Sequence, residues 1–168
     1  MFEIGDLIIY GSTGVCEIQG IKTLDIPGVN KKQLYYVIKP VNQTCTISAP
    51  VDSQKVFMRP IISKDEALRL IDSIPSIEAE AFHSRALREL TEHYSNILNT
   101  HNCEDLIELT MSIHAKKKYL ASQNRKFGAI DEKFMKRAEE LLFGELSAAL
   151  EIPYADVRKF ISDRLVKK

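Results

Sequence analysis

The residues of this chain best equipped for chemistry are cations. Lys116, Lys117 and Lys118 are followed by Arg125 and Lys126, and then by Lys133, Lys136 and Arg137. Long side chains ending in a positive charge suit phosphate oxygens, and several on one surface hold a polyanion with little regard to its sequence and with steep dependence on salt. Residues 116–137 hold eight Lys/Arg against two Asp/Glu, whereas residues 63–115 hold four against ten. The formal charge of the whole chain is zero, but a phosphate responds to the local patch and not to the sum. Lysines also gather at helix C-termini, where they complement the backbone dipole. Taken alone, the run fits either nucleic-acid binding or a solvated helix end.

Catalysis finds no comparable support. The sequence has no phosphate-binding glycine loop, no GxGxxG after a strand, no GxSxG elbow and no HExxH. His83, His93, His101 and His114 share no metal-ligand spacing and read as exposed or edge-of-core residues. The acidic pairs Asp131-Glu132 and Glu139-Glu140 lie in helical stretches, where such pairs ordinarily face water. Cys16, Cys45 and Cys103 are odd in number and form no CxxC, which argues against a disulfide framework or a zinc knuckle. Cys16 and Cys45 fall on the apolar phase of predicted strands and read as buried thiols. The expectation is a protein that is not an enzyme and needs neither cofactor nor metal. With no run of eighteen apolar residues and no basic-then-apolar amino terminus, it predicts no membrane contact, no secretory signal and a cytoplasmic location.

Whatever the cations bind, other elements must hold them in place. With 45% hydrophobic and 27% charged residues the chain can bury the core of one medium domain or two small ones. Its first third reads as β-structure. Gly5-Asp6 makes a tight turn, Leu7 to Tyr10 an apolar strand, and Gly11 to Gly14 a second turn. The next strand alternates, Cys16 and Ile18 to one face and Glu17 and Gln19 to the other. Asp25 to Asn30 reads as a loop, Gln33 to Pro40 as a strand buried on both faces, Cys45 to Ala49 as an alternating strand and Val56 to Ile61 as a short fifth. Short strands joined by tight turns in this number predict a small five-stranded Tudor/SH3-like β-barrel. The polar segment Asn42 to Pro50 is placed to form an open edge that accepts a strand from another protein.

At Ser63 the period changes to that of helices. Ser63-Lys-Asp-Glu66 is a capping box, and Pro75 stops the helix it opens. A second helix is predicted over 77–98, a third from Asn102, a fourth from about Asp131 after the break at Gly128, and a last one after Pro153. The expectation is an α+β chain with a β-domain over 1–62 and an all-α domain over 63–168. If the third and fourth helices are antiparallel neighbours, their connection gathers both sets of cations at one end of the bundle.

In order and spacing, Phe2-x-x-Gly5-Asp6-x-x-Ile9-Tyr10, Gly14, Leu34-Tyr-Tyr-Val-Ile-Lys39, Asp131-Glu-Lys133, Ala138-Glu-Glu-Leu-Leu142 and Glu145-Leu146 resemble the CarD/CdnL family of bacterial transcription regulators. The resemblance implies a two-part adaptor. Its Tudor-like amino-terminal domain, shared with the transcription-repair coupling factor, would dock on the β subunit of RNA polymerase. Its helical domain would contact promoter DNA near the upstream fork of the melted region and stabilise the open complex. Polymerase contacts are implied at Thr46, Ile47, Ser48, Ala49 and Pro50, with the strand near Ile21 to Ile26 beside them. Where actinobacterial relatives carry contacting arginines, this chain has Leu24 and Ser48. A DNA contact is implied at Lys133, with Arg85 and Arg88 near the family's basic segment. Family members commonly place a wedging tryptophan in that segment; this chain has none, and Phe82 and Leu87 lie nearest its position. Two other readings stay open: a protein-interaction module that forms a homodimer, its lysines serving solubility, and an RNA-binding factor with a KOW-like barrel.

Overall fold

Ile8, Cys16, Ile18, Tyr36, Ile38 and Ala49 come from four strands, and in the computed structural model of the chain they close into one buried apolar cluster. The structure describes residues 2–24, 27–28, 32–52 and 55–166, which divide into two units, 1–61 and 62–168. The first unit holds β1 (Leu7–Tyr10), β2 (Gly14–Thr23), β3 (Leu34–Pro40), β4 (Ile47–Pro50) and β5 (Met58–Pro60). They form an antiparallel sheet in the order β4-β3-β2-β1-β5. The turn before β1 needs positive φ at Gly5 (+96°), and the turn after it needs the same at Gly11 (+47°), where an added Cβ would stand 2.8 Å from Val56 Cγ1. Only glycine serves there.

Two expectations for this unit are corrected. The sheet is open: β4 and β5 are its two edges, and among the described residues they do not pair with each other. Strand β3 is not buried on both faces. Tyr36 and Ile38 are buried, while Tyr35, Val37 and Lys39 on the other face are only half-buried, so the run packs on one side. A bulge between Ile18 and Gly20 shifts the register of β2 on β3, and such an extra residue bends a strand. Of the loop predicted over 25–30, Pro27 and Gly28 are described; Asp25, Ile26, Val29 and Asn30 lie outside the described residues.

The second unit is helical, with α1 (Lys64–Ser73), α2 (Leu87–Leu98), α3 (Cys103–Ser122), α4 (Ala129–Leu150) and α5 (Val157–Val166) among the described residues. Side-chain caps account for two of the starts. The Ser63 hydroxyl accepts from the Glu66 amide (3.1 Å), and the Asn102 side chain accepts from the amides of Glu104 (2.8 Å) and Asp105 (3.4 Å). A 3₁₀ turn at Ile74–Ser76 carries Pro75 and ends the first helix. Helix α2 begins ten residues later than the period suggests, at Leu87 rather than Ile77. Residues 77–86 instead run without regular structure, fastened where Ser112 Oγ donates to the Glu80 carbonyl (2.6 Å) and where Phe82 stacks on His93. These contacts hold the segment in a non-helical path, and tertiary packing overrides its modest helix preference.

The core of this unit gathers Leu70 and Ile71 of α1, Leu90 and Tyr94 of α2, Leu106, Ile107, Leu109 and Ile113 of α3, Leu142 and Leu146 of α4, and Val157 of α5. Polar clamps tie the ends together. Arg164 forks onto Asp72 with contacts of 2.7 and 2.9 Å, joining α5 to α1. The buried Glu145 carboxylate accepts from the Ile62 amide (3.0 Å).

Candidate functional site

The cations predicted at one end of the bundle do meet there, but not as one sheet of equivalent charges. The end of α3, the start of α4 and the residues leading into α2 enclose a concave cleft of about 720 Å³. Arg85, Arg125 and Lys126 line it, and all three are exposed and have no acidic partner among the described residues. Leu87, the first residue of α2, also lines the cleft and is 65% exposed. His83 borders the same space, its ring set edge-on to the exposed Tyr119 at 5.5 Å.

Lys116 does not offer its charge to solvent. Its ammonium lies 3.0 Å from Asp131 Oδ1, with both side chains buried, and the Tyr94 hydroxyl donates to the same oxygen at 2.5 Å. Burial, that hydrogen bond and the neighbouring carboxylate together push the Tyr94 phenol well above its usual range. This corrects two expectations: Lys116 is not a phosphate ligand, and Asp131 does not face water. A signal for both was present in the sequence. Leu109, Ile113, Lys116 and Leu120 are spaced as one apolar stripe, and Asp131, Ala138 and Glu145 recur every seven residues. A charge in phase with a core stripe is a charge with a buried partner.

The remaining predicted cations scatter. Lys117 sits over the Phe127 ring at 5.6 Å, Arg88 pairs with Glu92 at 3.1 Å, and Arg137 reaches Glu140 at 3.4 Å. Lys118, Lys133 and Lys136 are exposed but do not line the cleft. Phe82 is stacked 3.8 Å from the His93 ring and packs against the core, so it is not a free wedge. Burial, followed by the charge of Lys116, holds the His93 pKa below its ordinary value.

The first unit carries a site of another kind. Strand β4 pairs with β3 alone, Tyr36 facing Ala49 and Ile38 facing Ile47. The Val51 amide donates to the Leu34 carbonyl (3.0 Å). Main-chain groups two residues apart point to the same side of a strand, so Ile47 and Ala49 are turned to β3 while Ser48 and Pro50 are turned outward. Proline has no N–H, which leaves Ser48 N–H and the Ser48 and Pro50 carbonyls on the open edge. The Ser48 and Thr46 side chains are exposed, Leu24 is half-buried and Ala49 is in the core. The strand expected beside β4 is not adjacent to it: β2 ends at Thr23 and is separated from β4 by β3, and Ile26 lies outside the described residues. Cys45 is exposed and precedes β4, contrary to the buried thiol expected, because the strand starts two residues later.

This edge lies within the stretch where the comparison with known families is positive. Residues 2–62 match the family model described as the CarD-like/TRCF RID domain. The β-unit is thus similar to CarD-like RNA-polymerase-interacting domains. The match covers the β-unit, with β4 as one of its two edges, and suggests a role connected with transcription and RNA polymerase. No curated protein matches the chain. Among the described residues no helix is long and apolar enough to cross a membrane.

Proposed function

We propose that this protein is a cytoplasmic transcription regulator that holds the β subunit of RNA polymerase with its RID domain and promoter DNA with its helical unit. The RID match carries the reading, and the open edge of β4 supports it with a mechanism. A strand of the β subunit adds to β4 through Ser48 and Pro50 main-chain groups, as edge strands do when they recruit a partner. Main-chain pairing does not depend on side-chain identity, so serine at 48 and leucine at 24 are compatible with it. The Tudor-like character of the domain belongs to the same reading.

In the helical unit, Arg85, Arg125 and Lys126 are the cations best placed for phosphate, with Lys133 and Lys136 as outlying contacts on α4. DNA held near the upstream fork while the polymerase is held by the RID domain adds contacts to the melted state. The closed-to-open equilibrium then shifts by the difference in affinity for the two states. This step needs no cofactor.

The test is a two-arm measurement on the full chain: retention of the isolated polymerase β lobe, and fluorescence anisotropy with duplex DNA across a salt series. Binding in both arms, with the double variant Arg125→Ala/Lys126→Ala losing only the DNA arm, supports the division of labour. A chain that binds RNA in preference to DNA, or self-associates and binds neither, favours the RNA-binding or dimerisation reading instead.

A further inference from the structure

The helical unit carries a second charged surface, opposite in sign to the first. Two adjoining hollows of about 390 and 420 Å³ open beside the N-terminal half of α3 and share Glu108. Glu66 and Glu104 add to the acidic lining of the first, and Glu78, Glu80 and Asp105 to that of the second. All but Asp105 are exposed, and among the described residues none of the six carboxylates is paired with a cation. Leu70, Ile77 and Ile107 line the first hollow as well, and Ile97 and Leu109 the second. Arg69, in the first, is the one lysine or arginine among the lining residues. Acids in the first turn of a helix complement its dipole. That accounts for Glu66, Glu104 and Asp105, but not for Glu108 or for Glu78 and Glu80 in the irregular segment 77–86.

The matching cations lie at the far end of the same helix. From Glu108 to the end of α3 at Ser122 is roughly 20 Å at about 1.5 Å per residue. A salt bridge cannot cover that distance, and at physiological salt it exceeds the Debye length of about 8 Å. One copy therefore cannot neutralise its acidic hollows with its own α3–α4 turn, although its formal charge sums to zero. A second copy can. Residues 121–126 are all exposed, so the turn presents Arg125 and Lys126 as a projecting tip.

We propose that the two acidic hollows receive the α3–α4 turn of a second copy of this chain, Arg125 and Lys126 meeting Glu78, Glu104 and Glu108 in a head-to-tail contact. Such a contact joins unlike surfaces, so it repeats from chain to chain instead of closing as a symmetric pair. It is held by complementary charge and therefore dissolves in salt. It also covers cations that the proposed DNA binding uses, so assembly and phosphate compete; this last step alone rests on that reading.

The experiment is sedimentation velocity of the full chain over a wide range of concentration, at about 0.01 M and about 1 M salt, where the Debye length is about 30 and about 3 Å. The expected mass grows past that of two chains at the lower salt and returns to the monomer at the higher. Glu78→Lys/Glu108→Lys, and separately Arg125→Glu/Lys126→Glu, should each leave monomers, all four positions being exposed. Mixing the two variants should restore association, because each supplies the face that the other has lost; a misfolded variant would not be rescued in this way. A mass that stops at two chains, growth that ignores salt, or a mixture that stays monomeric overturns the proposal. So does a monomer that instead retains an arginine-rich peptide through Glu78 and Glu108, which would assign the hollows to a basic segment of another protein. Duplex DNA added to the assembly should disperse it. DNA that fails to bind overturns the DNA-binding reading and leaves the self-association standing, whereas DNA that binds without dispersal overturns only the competition.

Discussion

Lys116 on α3 and Asp131 at the start of α4 face each other across 3.0 Å with their side chains 6% and 5% exposed, beneath a cleft whose other cations are open to water. The carboxylate is the third residue of its helix and so also meets the positive end of the backbone dipole. The pair fixes the end of one helix to the beginning of the next and thereby sets where Arg125 and Lys126, in the connection between them, can stand.

Removing one member should expose this arrangement. Lys116→Ala leaves a carboxylate buried without its cation, and the unit should lose about 3–5 kcal/mol in urea unfolding, as for other broken buried pairs. Replacing both residues together, as Lys116→Met with Asp131→Leu, should cost much less, because neither leaves an unpaired charge. Equal losses in the two variants would show that packing and not charge holds the site.

The β4 edge makes a prediction about main chain alone. Ser48→Pro removes the only outward N–H within the strand and should abolish retention of the polymerase β lobe. Ser48→Ala keeps that group and should bind as the unaltered chain does. Loss with alanine would point instead to the serine hydroxyl.

Salt dependence separates the cations that hold phosphate from those that only look suitable. Each phosphate contact contributes about 0.9 to the slope of log affinity against log salt for duplex DNA, so Arg125→Ala/Lys126→Ala should lower the slope by up to about two. Arg88→Ala should leave it unchanged, since that guanidinium is already paired with Glu92. A titration of duplex binding between low and moderate salt decides it.

In the first unit, burial pushes the Cys16 thiol up to about 11, with a smaller contribution from Cys45. The native state therefore favours the neutral thiol over the thiolate more strongly than the unfolded chain, whose value is 9.0. The resulting stability is fully present below pH 9 and is lost as pH rises through about 11. A shift of this size corresponds to roughly 3 kcal/mol at most. Denaturant midpoints measured from pH 8 to 11 should fall for the unaltered chain and fall less for Cys16→Val.

Much of the architecture could be read locally. The strand Leu7–Tyr10, the glycine turns on either side of it, and the caps at Ser63 and Asn102 appear where residue type and spacing put them. Each depends on neighbours within a few residues, so the information is in the sequence itself. The candidate cleft was half legible: the cationic run was evident, but its membership was not. Lys116 looks identical to Lys117 and Lys118 in a list of charges, and only its phase with Leu109, Ile113 and Leu120 marks it as inward. Arg85 and Leu87 stand some thirty residues before the run, and nothing local connects them to it.

By itself, then, the sequence determined the types of element and many of their ends, because turns, caps and hydrophobic period act over a few residues. Tertiary structure alone decided that the sheet stays open at β4, that residues 77–86 forgo a helix, and that one lysine of three is buried while Arg85, Leu87, Arg125 and Lys126 share a hollow. Those outcomes depend on which surfaces meet across long sequence separations. Desolvation and pairing then give the same side chain opposite roles according to what stands opposite it.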